Sequence, residues 1–164
     1  MEKIVINNMS WYTTFPLIDY DILLYGMLFP PCLYGENAAK IEEHPGCISH
    51  AIGYSGMTIS GHYCGAIIGN AIVPGNHLAF MIGSLLCTSS FIGIYAGNTR
   101  TNLRKKYMID GNKKNDSCHH FICSPIALCQ EAQEIRTRQN TSKVDIDTGD
   151  MYMRAPSSPT MEKI

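Results

Sequence analysis

With 164 residues, 45% of them hydrophobic and only 16% charged, the chain holds material for one domain and more apolar surface than a small soluble domain needs to bury. Its net charge of −1, with no interleaving of aromatic and basic residues, excludes a nucleic-acid face, which must displace counterions from phosphates. Seven cysteines, an odd number, in a chain whose first residues lack the apolar core and small-residue cleavage site of a secretory signal, are expected to stay thiols, serving metal binding or plain burial.

Residues 1–14 are polar and mixed, and they read as a disordered N-terminus. From Phe15 to Tyr34 the chain is apolar, interrupted by Asp19 and Asp21 and closed by Pro30-Pro31. The run from Ile22 to Phe29 is too short for a bilayer core that needs about 20 residues, so it suits a re-entrant or interfacial segment, or a core helix. Gly35 to Glu43 reads as a short helix with Ala38, Ala39 and Ile41 on one side.

Tyr54 to Val73 is uncharged and carries Gly61, Gly65 and Gly69 four apart, the spacing that lets helix backbones approach closely. His62, Asn70 and the glycines themselves leave a glycine-rich loop as the competing reading. Pro74-Gly75-Asn76 is turn chemistry, since proline presets one dihedral and glycine or asparagine tolerates positive φ. Leu78 to Gly97 then passes without a charge and is a transmembrane candidate, with a buried helix of a soluble domain as the alternative. No lysine or arginine lies between Lys40 and Arg100, while Arg100, Arg104, Lys105 and Lys106 follow directly, so the expected fold is a helical hairpin with both termini cytosolic.

Gly111 to Asn115 is a polar loop, after which Asp116 caps a turn holding Cys118 to Cys123. Ser124-Pro125 marks a second helix start, with serine at the cap and proline in the first turn. Leu128, Cys129, Ala132 and Ile135 form its apolar stripe, Glu134 and Arg138 pair four apart, and the helix is expected to end near Asn140. From there to residue 164 the tail reads as disordered, leaving 15–139 as a mainly α, cysteine-rich, membrane-associated domain with one or two hydrophobic helices.

The densest chemistry lies in Cys118-His119-His120-Phe121-Ile122-Cys123 and Ala127-Leu128-Cys129-Gln130-Glu131, with Glu134 beyond. Together with Pro30-Pro31-Cys32 followed by Gly35 and Ala38, this run resembles the cysteine-rich family of the animal placenta-specific protein 8, over about Phe29 to Arg138. Plant members of that family are called cell number regulators and cadmium-resistance proteins. The family's Cys-Pro-Cys reads Pro30-Pro31-Cys32 here, and Ile122 and Ile126 occupy common cysteine positions. The resemblance implies a membrane-associated, self-associating regulator of cell number and organ size, or a protein of heavy-metal resistance or transport, at the plasma membrane.

Soft thiolates with imidazoles select zinc and, by the same softness, cadmium. Cys118, Cys123 and Cys129 with His119 or His120, joined by Cys32, are the candidate ligands for zinc or another soft divalent metal, although Cys-x4-Cys-x5-Cys is no standard zinc spacing. Packing as small hydrophobes is the other reading for thiols, and the expected one for Cys47, Cys64 and Cys87; S-palmitoylation is a further reading for Cys32. Cys118 beside two histidines is the one constellation that suggests catalysis. No third group orients it, so the chain is expected not to be an enzyme. Glu131 and Glu134 read as a solvated acidic face, and His44, His50, His62 and His77 as surface residues. A peripheral or soluble metal-dependent interaction module, with Leu78 to Gly97 as its core, is the alternative function.

Overall fold

A computed structural model of the chain describes Trp11, residues 18–42 and 46–147, the last seven of these in backbone only. Of the expected disorder, residues 1–14 apart from Trp11 and the part of the 140–164 tail beyond 147 fall outside the described residues, whereas residues 140–147 are helical. Five helices make up the described part: α1 (Tyr20–Leu28), α2 (Pro30–Ile41), α3 (Cys47–Ile72), α4 (His77–Lys106) and α5 (Lys113–Asp147).

Proline sets the first break. Residues before a proline avoid the helical region, and Phe29 sits at φ −132°, ψ 57°, between α1 and an α2 that begins with Pro30 and Pro31. The helix expected from Gly35 therefore starts a turn and a half earlier. The glycine-rich stretch is no loop, since α3 runs unbroken through Gly61, Gly65 and Gly69. Its reason is visible in α4. A Cβ on Gly61 would lie 2.7 Å from the Thr88 Cα, one on Gly65 would run into the Gly83 carbonyl, and one on Gly69 into that of Ala79. The three glycines thus form a seam that brings two backbones together, and what glycine costs in helix propensity is recovered in contact.

Gly75, at φ 74°, turns the chain, and Asn76 Oδ1 accepts from the amides of Leu78 and Ala79 at 2.9 and 3.2 Å, capping α4. α4 is the longest unbroken helix, as the uncharged run followed by basic residues implies. α5 departs from helical geometry at Cys123 (φ −152°, ψ 82°), because Pro125 has no amide to give the Phe121 carbonyl. The second half continues past Asn140 to Asp147.

Contacts show that this break reverses the chain. Before it, Ser117 touches Gly97 and Phe121 touches Gly93, climbing α4 toward its N-terminus. After it, Glu131 meets Arg100 and Arg138 meets the Tyr107 carbonyl, descending again. α1 and α2 reverse in the same way. α1 begins where Arg136 holds Asp19 and rises to Gly26 beside Pro125 and Cys129, whereas α2 descends through Asn37 on the Leu128 carbonyl to Lys40 by Lys106. Both reversals, at Phe29 and Cys123, therefore lie at the end of the body from which the α3–α4 hairpin projects.

The core joins Leu33, Tyr34, Ala38, Tyr54, Ile92, Ala96, Leu128, Cys129 and Ala132. Tyr34 is its pivot, with ring centroids 5.0 Å from Tyr54 and 5.5 Å from Tyr95. Leu103, Ile109 and Ile135 form a second cluster at the opposite end, with Trp11 packed on it.

Candidate functional site

Two features stand out from the fold: an uncharged apolar hairpin that the other described residues leave bare, and a charged network sealed inside the body below it.

Between Glu43 and Arg100 there is no Asp, Glu, Lys or Arg. The projecting parts of α3 and α4 expose Ile59 (56%), Tyr63 (66%), Ile67 (70%), Ile72 (73%), Leu78 (67%), Met81 (62%) and Leu85 (67%). Soluble proteins rarely leave so continuous an apolar surface bare. α4 is long and apolar enough to cross a membrane, with mean hydropathy 1.8 over its best window, of which 17% is buried. It is the only such helix among the described residues. The two chain reversals add Met27, Leu28 and Phe29 on one side and Phe121 and Ile122 on the other, all exposed and all at the root of the hairpin. The basic run Arg104, Lys105 and Lys106 lies at the far end of α4.

The network is centred on Glu131, whose side chain is inaccessible to solvent. Its Oε1 accepts from His120 Nε2 at 2.8 Å and from Arg100 Nη1 at 3.2 Å. The other imidazole nitrogen, His120 Nδ1, is 3.1 Å from Ser124 Oγ, which is 3.0 Å from the Tyr54 hydroxyl. Arg100 also donates to Gln130 Oε1 at 2.8 Å and stands 3.8 Å from Asp116, and Trp11 covers its guanidinium at 3.9 Å. Asp116 itself accepts from Thr101 Oγ1 at 2.9 Å and Arg104 Nε at 3.1 Å. Burial works against charge on Glu131, but His120 and Arg100 outweigh it and hold the carboxyl below its ordinary 4.5. His119, on the next residue, is pushed below 6.5 by burial and then by the nearby positive charge of Arg100. Glu131 Oε2, Asn37 Oδ1 and Arg100 Nε have no hydrogen-bond partner among the described residues. Such a cluster ties α4 to both arms of α5 and fixes the reversal at Cys123 through the Ser124 hydroxyl.

Several sequence expectations change here. Glu131 and Glu134 are fully buried, not a solvated acidic face; Glu134 pairs with Arg138, as the spacing implies, but inside the protein. The signal was present, because Glu131 lies three residues after Leu128 and four before Ile135 and so shares the apolar stripe. His50 is buried at 6% exposure against Tyr34, whereas His62 and His77 are exposed as expected. Arg100 is a core residue, although the sequence presents it as the first of the flanking charges. Ser124 bonds His120 and Tyr54 rather than capping a helix.

The candidate metal ligands are spread over this region. Cys32 and Cys118 are exposed, Cys123 is half-buried, and Cys129 is buried with its thiol on the Ile22 carbonyl at 3.4 Å. Burial, with Cys123 nearby, pushes the Cys129 thiol up to about 11. His119 has Asn115 at 3.4 Å, and His120 is held by Glu131. Among the described residues no three His, Cys, Asp or Glu side chains converge as a set able to hold a metal ion.

The chain matches the PLAC8 family over residues 11–134 and belongs to that family. Among curated proteins it is 29% identical to the Arabidopsis thaliana protein PLANT CADMIUM RESISTANCE 10, over 82% of this chain and 65% of that one. It is 23% identical to Cell number regulator 8 of Zea mays, over 73% of this chain and 54% of that one. Cell number regulator 11 of Zea mays is 36% identical over 41% of this chain. The chain thus spans between half and two thirds of the length of the first two relatives. No solved structure matches it significantly.

Proposed function

We propose that this protein is a membrane-embedded PLAC8 protein that acts in heavy-metal resistance or in the control of cell number, the two roles named in its relatives. The observation that carries the membrane part is the bare, uncharged α3–α4 hairpin. From Leu78 to Gly97, α4 is about 30 Å long at 1.5 Å per residue, the depth of a bilayer's hydrocarbon core. α3 is less apolar, but the glycine seam binds it to α4, so the pair enters together. The exposed Met27, Leu28, Phe29, Phe121 and Ile122 then rest at the interface, and the basic end of α4 stays on the cytosolic side with the C-terminus, at the plasma membrane in this reading.

Metal handling is assigned to the thiol-bearing end of the body, where Cys32, Cys118 and Cys123 are accessible. Cys129 and His120 would first have to leave the Ile22 carbonyl and Glu131. Self-association belongs to the same reading and uses the outer face of α3, because the glycine seam is spent within the chain.

Extraction of membranes at alkaline pH tests insertion. The protein is expected to stay in the pellet, and Leu85→Arg to move it to the supernatant, since arginine at a helix centre costs about 2.5–3.5 kcal/mol on insertion scales. Release of the unmodified protein would contradict insertion. Expression in a cadmium-sensitive host tests the metal role: growth in cadmium should improve and the gain should be lost in a Cys32→Ser, Cys118→Ser, Cys123→Ser variant. Equal tolerance with and without the protein would remove it.

A further inference from the structure

Two cysteines that look isolated in the sequence meet across the hairpin. The glycine seam sets the register, with Gly61 against Thr88 and Gly65 against Gly83 and Ser84. Cys64 lies three residues after Gly61 and one before Gly65, and Cys87 lies three after Ser84 and one before Thr88. Equal offsets from a shared seam, on two antiparallel right-handed helices, place both side chains on the same flank. Their Cα–Cβ bonds lean toward each helix's own N-terminus, and therefore toward one another. Both residues are half-buried on that flank, and both are free thiols. Glycine contacts bring the backbones closer than ordinary helix pairs, and a disulfide requires such an approach, about 4.4–6.8 Å between Cα atoms.

We infer that Cys64 and Cys87 are a redox pair, reduced in this structure and closed by a hydroperoxide into a disulfide that locks α3 to α4. One thiol, losing its proton, attacks the terminal peroxide oxygen. The O–O bond breaks, and the departing oxygen takes that proton to leave as an alcohol, or as water from hydrogen peroxide. The second sulfur then attacks the resulting sulfenic sulfur, and its proton departs with the sulfenic hydroxyl as water. Two thiols and one hydroperoxide thus give one disulfide, one alcohol and one water. A metal is a poorer occupant of this pair, because no third donor joins these two thiols among the described residues. The bond would close a ring of residues 64–87 around the Pro74-Gly75-Asn76 turn and prevent the hairpin from opening along its seam. It depends on the register of the seam and not on whether lipid surrounds the hairpin.

The test uses the full chain purified in detergent micelles, exposed to hydrogen peroxide or cumene hydroperoxide, blocked with N-ethylmaleimide and digested without reduction. The expected product is a peptide joining Cys64 to Cys87 within one chain. It should form at a rate independent of protein concentration and disappear on reduction with dithiothreitol. Hydrogen exchange of the amides flanking the turn should slow in the oxidised form. Cys64→Ala and Cys87→Ala should each lack the peptide while keeping the helical circular dichroism of the parent. The unmodified chain decides the matter without either variant. Both cysteines carrying maleimide after an exposure that oxidises other thiols, or joined to other cysteines or between chains, would overturn the inference.

Discussion

Substituting alanine at two glycines of the same helix separates seam packing from helix propensity. Gly56 has open space around it, with no atom within 4 Å of an added Cβ, whereas the Cβ of Gly65→Ala meets the Gly83 carbonyl and the Ser84 Cα, both backbone. Each substitution gains roughly 0.5–1 kcal/mol of helix propensity. Gly56→Ala should keep that gain. Gly65→Ala must also push two backbones apart, and overpacking costs about 1–3 kcal/mol even where flexible side chains yield, so the upper end applies. The two variants should therefore differ by about 2–3 kcal/mol, or roughly 4–12 °C in melting temperature for a chain of this size. Thermal unfolding followed by circular dichroism in micelles measures it. A Gly65→Ala protein as stable as Gly56→Ala would refute the seam and return these glycines to a loosely packed helix.

Glu131→Ala leaves Arg100 and His120 buried without their shared acceptor and should cost about 3–5 kcal/mol, while Arg100→Met combined with Glu131→Leu should recover more than half of that in chemical unfolding. Because Glu131 is held below its ordinary 4.5, the folded state releases this proton more readily than the unfolded chain. Its contribution to stability is present above pH 4.5 and fades as pH falls further, so Glu131→Gln should flatten the acid limb of a stability profile. Cys129 has the opposite sign: its thiol keeps its proton to about pH 11 when folded and to 9 when unfolded. Stability should thus decline between pH 9 and 11, and that decline should be absent in Cys129→Ala. Asn76→Ala removes the cap of α4 and should cost about 1 kcal/mol, read by the same melting experiment.

Elements marked by local chemistry were legible from sequence. Pro30-Pro31, Pro74-Gly75-Asn76 and Ser124-Pro125 each punctuate the chain where a break or turn occurs, because backbone donors and dihedrals are fixed residue by residue. The span of α4 followed from its unbroken apolar run. Whether Gly61, Gly65 and Gly69 form a helix depended on a partner backbone, and propensity cannot supply one. The interior network was hidden for a related reason: Arg100 continues a basic cluster in sequence, and only the fold of α5 back over α4 brings Glu131, His120 and Asp116 to it. Glu131 could have been found, since its phase on the helix is that of Leu128 and Ile135.

Lipid contact of the α3–α4 hairpin is the claim on which the functional reading turns, and photo-crosslinking measures it directly. The protein is reconstituted in vesicles containing a phospholipid with a diazirine at mid-chain, irradiated, digested and mapped by mass spectrometry. Adducts are expected on Ile59, Tyr63, Ile67, Met81, Leu85 and their exposed neighbours, and not on the α5 segment that carries Glu131 and Glu134. A hairpin free of lipid adducts in vesicles that retain the protein would contradict the account.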